Sequence, residues 1–178
     1  MNWLSVLLLF LLQATKSATM PDMPPNPGVY YRQNNANWIS LRPALIAEMK
    51  IRGMELFIET GGYTNLGMSI VCRGAKASLR ILIPRPTFFV REVGSSKDAI
   101  LVRLAQKKDE RTFKTSSSAA TVENKGGFKK RDIHKVTIIP NPDNSFSVMP
   151  EEDLKPGEYM LVFGYATLGF DFGIDPEK

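Results

Sequence analysis

His134 and Cys72 are the only histidine and the only cysteine in the chain, and they bound the chemistry it can perform. A Ser-His-Asp or Cys-His nucleophilic site would have to use His134. That residue lies in Lys129-Lys130-Arg131-Asp132-Ile133-His134-Lys135, where charged neighbours are expected to hold a solvated imidazole below its ordinary pKa. No Gly-x-Ser-x-Gly elbow accompanies it. Cys72 follows Ser69-Ile70-Val71, an apolar, strand-like setting that points to a buried, inert thiol. One His and one Cys, 62 positions apart, do not form a zinc site, which needs about three or four ligands. Asn141-Pro142-Asp143-Asn144 offers oxygen donors but lacks the calcium-loop pattern, and it reads as a turn. Gly61-Gly62 and Gly126-Gly127 are isolated pairs without a phosphate-binding fingerprint. No cofactor and no metal are expected.

Carboxylates are the remaining source of acid–base chemistry. Glu151, Glu152, Asp153, Glu158, Asp171 and Asp175 crowd the C-terminal part. Two of them about 5–10 Å apart could hydrolyse a glycan as acid and base. Acidic turns beside strands account for the same residues, so no catalytic residue is assigned.

Charge distribution gives the other lead. Residues 103–135 hold ten Lys/Arg and four Asp/Glu, whereas residues 136–178 hold two and eight. The basic stretch could form a face for an anionic partner through Lys107, Lys108, Arg111, Lys129, Lys130 and Arg131. Two solvated faces that attract each other within the fold are the alternative. Phe113 and Phe128 beside these cations resemble the aromatic-basic mixture of single-strand nucleic-acid binders.

Location argues against nucleic acid. Trp3 to Leu12 reads WLSVLLLFLL, an apolar run closed by small and polar residues, as in a secretory signal peptide. An apolar run of ten positions falls short of the ~20 that a membrane-spanning helix needs. Residues 1–18 are thus expected to be a signal peptide, cut after Ala14 or Ala18. Residues 19–27, rich in proline, are expected to be a stiff linker, and residues 28–175 one domain in the periplasm or outside the cell.

The elements that must position any site are short and β-rich. Val29–Arg32 and Trp38–Leu41 flank the Asn-rich turn Gln33–Asn37 and predict a hairpin. In residues 44–60, Leu45, Ile46 and Met49 have helical spacing, while Glu55–Glu59 looks like a strand. Strands are also expected over 67–72, 77–83, 87–90 and 99–107, the last with Ile100, Val102 and Leu104 on one face. Residues 111–115 return from a charged tip, and their outward charges suggest an edge or a solvated face. A polar loop is expected over 116–127 and another hairpin over 136–148, turning at Asn141–Asn144.

Near the end, Pro156-Gly157 suits the centre of a type II turn, and Tyr159 opens the strand after it. A tyrosine there resembles the tyrosine corner of immunoglobulin-like sandwiches, whose hydroxyl bonds back to backbone a few residues upstream. A last strand covers 170–174, with Phe170 and Phe172 packed inward and Asp171 outside. About nine short strands with frequent turns predict an all-β antiparallel sandwich with at most one short helix.

Four stretches carry a further resemblance: Val29-Tyr30-Tyr31, the basic hairpin Leu104–Arg111, Leu154-Lys155-Pro156-Gly157-Glu158-Tyr159, and Phe170-Asp171-Phe172-Gly173-Ile174-Asp175. In them the chain resembles an uncharacterised family of secreted bacterial proteins. That resemblance implies export and a single β domain, and no activity. The expected function is a binding module for an envelope protein or an anionic glycan. A glycan hydrolase and a structural subunit pairing through edge strands are the alternatives.

Overall fold

A computed structural model of the chain describes residues 23–33, 37–44, 46–52, 58–61, 66–117, 130–163 and 168–177. The expected signal peptide, with residues 19–22 of the linker, lies outside these residues, as does most of the expected loop at 116–127. Among the described residues no helix is long and apolar enough to cross a membrane.

The protein is an all-β sandwich. Its strands are β1 (Gly28–Arg32), β2 (Trp38–Leu41), β3 (Ile46–Arg52), β4 (Leu66–Arg73), β5 (Arg80–Ile81), β6 (Phe88–Arg91), β7 (Ile100–Lys107), β8 (Glu110–Ser117), β9 (Ile133–His134), β10 (Val136–Asn141), β11 (Ser145–Pro150), β12 (Gly157–Phe163) and β13 (Leu168–Ile174). One sheet runs β10-β11-β6-β1-β2. The other runs β3-β4-β8-β7-β12-β13-β5, with β9 added against β7. All pairings are antiparallel except β5 on β13.

Alternation places the core. From β12, Tyr159, Leu161 and Phe163 face the five-stranded sheet, where they join Phe170, Phe172 and Ile174 of β13 against Val29, Phe88, Val90, Phe146 and Val148. Phe88 and Phe172 meet across this interface with ring centroids 4.7 Å apart. Apolar residues also occupy the opposite face of β12, and they build a second core. Met160 and Val162 pack with Ile100, Val102 and Leu104 of β7, with Ile70 and Cys72 of β4 and with Phe113 of β8. The β3-β4-β8 arm therefore folds over the far face of β12, which is buried on both sides and reads as a nearly unbroken apolar run.

Several expectations are corrected. Residues 46–52 form a strand paired with β4, where helical spacing had suggested a turn of helix. A register shift between Ile46 and Glu48 breaks the period of two and disguises the alternation that follows. Ile58 and Glu59 are helical, so the expected strand at 55–59 is absent there; residues 53–57 lie outside the described residues. Only Arg80 and Ile81 of the run 77–83 pair as a strand, and Leu82 and Ile83 are exposed. Strand β8 is central, between β4 and β7, and so is not the expected edge; its Glu110 and Lys114 are exposed, as on a solvated face, whereas Arg111 is buried against carboxylates.

Candidate anion-binding cleft

Buried charge gathers where β5, β8, β12 and β13 meet. Arg111 of β8 is 4% exposed and Glu158 of β12 is 3% exposed. The Arg111 guanidinium donates to Asp171 of β13 through Nη1, to the Gly74 carbonyl through Nε at 2.9 Å and to the Arg73 carbonyl through Nη2 at 2.9 Å. Glu158 accepts from Arg80 Nη1 at 2.5 Å and from the Ala77 amide at 2.8 Å. Arg80 also donates to Asp175 at 2.5 Å, and this bond holds the Asp175 carboxyl below its usual range. Gly173 is what lets Arg80 lie there, because a Cβ at that position would stand 1.6 Å from Arg80 Nη1.

Two site expectations change as a result. Arg111 belongs to the interior clasp and is unavailable to an exposed contact face. Asp171 points at this clasp, whereas it was expected to lie outside. Three of the carboxylates that could have served as acid and base, Glu158, Asp171 and Asp175, are each bonded to a guanidinium. Glu151, Glu152 and Asp153 are exposed on the β11–β12 connection, where Asp153 pairs with Arg85 at 2.9 Å.

The remaining basic residues separate into a tip and a cleft. Lys107 and Lys108 are exposed at the β7–β8 hairpin tip, with Lys108 at φ 31°. The β7–β8 ladder holds for only three pairs, from Lys107↔Glu110 to Ala105↔Thr112. Beyond them β7 continues with β12 and β9, while β8 continues with β4. The strands fork, and a cavity of about 260 Å³ opens there. It is lined by Arg103, Leu104 and Ala105 of β7, by Thr112, Phe113 and Lys114 of β8, and by Arg131 and Asp132 of the 3-10 turn Lys130–Asp132. This turn leads directly into β9, whose pairing with β7 through Leu101↔His134 and Val102↔Ile133 fixes the turn against the fork.

Three cations, Arg103, Lys114 and Arg131, thus meet one carboxylate, Asp132, around a partly open space. Arg131 lies 3.3 Å from Asp132 with its side chain 78% exposed. Arg103 donates to the Pro156 carbonyl at 3.0 Å, and its guanidinium lies 5.9 Å from the Tyr159 ring centroid. Of the cations expected to form the contact face, the structure brings Arg131 to the cleft and leaves Lys107 and Lys108 at the hairpin tip. Lys130 opens the turn, and Lys129 lies outside the described residues. Arg103 and Lys114 complete the lining, and the sequence reading had given Arg103 no role. It faces Tyr159 across the β7–β12 register, a pairing between distant residues that no local sequence signal announces. Phe113 is 5% exposed and packs in the second core, so it offers no stacking surface for a base.

The remaining reactive groups are structural. Cys72 is fully buried, and burial pushes its thiol up to about 11. The Tyr159 hydroxyl donates to the Lys155 carbonyl at 2.6 Å, the bond back to upstream backbone that a tyrosine corner makes. Pro156-Gly157 is not the centre of a type II turn, since Gly157 has φ 158° and opens β12 in extended conformation. A side chain at Gly157 would press on the Arg103 guanidinium, with Nη2 3.0 Å from its Cβ. Among the described residues no group of three His, Cys, Asp or Glu is placed to hold a metal ion.

A scan against protein-family models, a search of curated proteins and a search of solved structures each return no match.

Proposed function

We propose that the protein is an exported, non-enzymatic binding module that recognises an anionic glycan in the cleft at the β7–β8 fork. One observation carries this reading: the fold gathers Arg103, Lys114 and Arg131 from three separate elements around a small concavity, against Asp132 alone. A volume near 260 Å³ suits a single charged sugar unit better than the broad, flat contact of a protein partner. Ala105, exposed on β7, offers a small apolar surface beside the sugar, and the cations supply the charge preference. Solvent-accessible charge contacts contribute roughly 0.2–1 kcal/mol each, so three of them supply at most about 3 kcal/mol, and an affinity of millimolar order or weaker, reduced further by salt, is expected. The apolar run Trp3–Leu12 supports export and therefore an envelope or extracellular glycan.

The test is retention of acidic and neutral oligosaccharides by the protein and by a Lys114→Glu/Arg131→Glu variant. Selective retention of acidic sugars, lost in the variant and in high salt, is expected. Equal retention of neutral sugars would overturn the reading. So would capture of an envelope protein that is indifferent to these two substitutions.

A further inference from the structure

One imidazole shares its charged neighbours with the cleft. His134 ends β9, two residues after Asp132, and pairs with Leu101 of β7. Its ring meets the Tyr159 ring edge-on, with centroids 5.4 Å apart and planes at 69°. The Nε2 atom is buried and has no hydrogen-bond partner among the described residues. Among the described residues, charges reach it from Arg103 of β7, Asp132 of the 3-10 turn and Glu152 of the β11–β12 connection. Tyr159 of β12 presents a ring whose hydroxyl burial keeps protonated. Two of these charged groups, Arg103 and Asp132, also line the cleft. Burial first, and Arg103 second, hold the imidazole below its ordinary value and favour its neutral form.

Resting on the anion-binding reading above, we infer that His134 couples the cleft to proton concentration: filling the cleft with an anion draws a proton onto the imidazole, and acid in turn strengthens binding. The mechanism is electrostatic. An anion held against Arg103 offsets the cation that opposes a charged His134, so the protonated form becomes easier to reach. By reciprocity, a protonated His134 adds positive charge beside Arg103 and raises affinity by the same factor. Affinity therefore climbs as pH falls through the value His134 has with ligand bound. It levels off below the value it has without ligand. Couplings of this kind are typically fivefold or more, so the gain should approach about fivefold between pH 8 and an acid pH below the ligand-free titration of His134.

The chain has one histidine, so its imidazole signals in a proton NMR spectrum are unambiguous. A sulfated disaccharide serves as probe because its sulfate esters stay ionised throughout this range. His134 is titrated with and without the probe, and affinity is measured at both pH values for the wild type and for His134→Gln. The expected result is an upward shift of the His134 titration on binding, tighter binding in acid, and loss of that pH dependence in the variant. Equal affinity at both pH values with an unmoved titration would refute the coupling and leave the cleft standing. An unchanged pH dependence in His134→Gln would also refute it. Failure of the probe to bind at either pH would overturn both proposals. Should the variant fail to fold, the wild-type titration alone decides.

Discussion

Replacing Arg111 by methionine removes one charge while keeping an unbranched side chain of similar reach. In the native fold this guanidinium bonds Asp171 and the carbonyls of Arg73 and Gly74, and it lies 3.8 Å from Glu158. Arg73 and Gly74 are exposed, so water can replace the donors to their carbonyls. Glu158 keeps Arg80 and the Ala77 amide. The cost therefore falls on Asp171, whose side chain is 11% exposed and would lose its guanidinium partner. Stranding one member of a buried pair costs about 3–5 kcal/mol, a large share of the ~5–15 kcal/mol that holds a domain folded. In urea, with a slope of about 2 kcal/mol per molar, the unfolding midpoint should drop by roughly 2 M. Adding Asp171→Leu to Arg111→Met removes the stranded charge and should recover most of the loss. Both variants are read by circular dichroism across the transition. A loss below about 1 kcal/mol for Arg111→Met, combined with weakened binding of an acidic glycan, would refute the structural role and return Arg111 to the contact face.

Three further outcomes are expected. Tyr159→Phe should cost about 1 kcal/mol in the same urea assay, the lower part of the range for a lost buried hydrogen bond, because Lys155 is exposed and its carbonyl regains water. Gly173→Ala should displace the Arg80 guanidinium from Glu158 and Asp175 and cost about 1–3 kcal/mol; a neutral effect would show that Arg80 does not depend on that opening. Cys72, with its thiol at about 11 and no exposure, should resist iodoacetamide at pH 8 until the protein unfolds; prompt native-state alkylation would contradict its burial.

Where alternation was regular, the sequence announced the fold. Ile100, Val102 and Leu104 were read as one face of a strand, and they line one core. Trp38–Leu41 pairs with Val29–Arg32, and β10 pairs with β11 around Pro142–Asn144, as the turn residues predict. The Tyr159 corner was legible because it is local, only four residues from its acceptor. What stayed hidden depends on contacts distant in sequence. Arg111 and Asp171 are 60 positions apart, and nothing near either one signals that a charge is buried. Residues 46–52 were misread because one irregular pairing shifts the period. The cleft was legible only as a basic stretch, since it depends on where two paired strands part company. The second core was invisible for a related reason: β12 is apolar on both faces, and composition cannot say that another layer covers each.

That doubly covered strand also bears on the order of events during synthesis. Tyr159, Leu161 and Phe163 belong to one core, Met160 and Val162 to the other, and Glu158 to the ionic clasp. Everything that β12 holds together, except its partner β13, lies earlier in the chain. A nascent polypeptide that has not reached residue 157 therefore owns two incomplete apolar surfaces and no means to close either. Folding must wait for the last segments to emerge, and until then the chain stays pliable enough to be threaded or to need shielding.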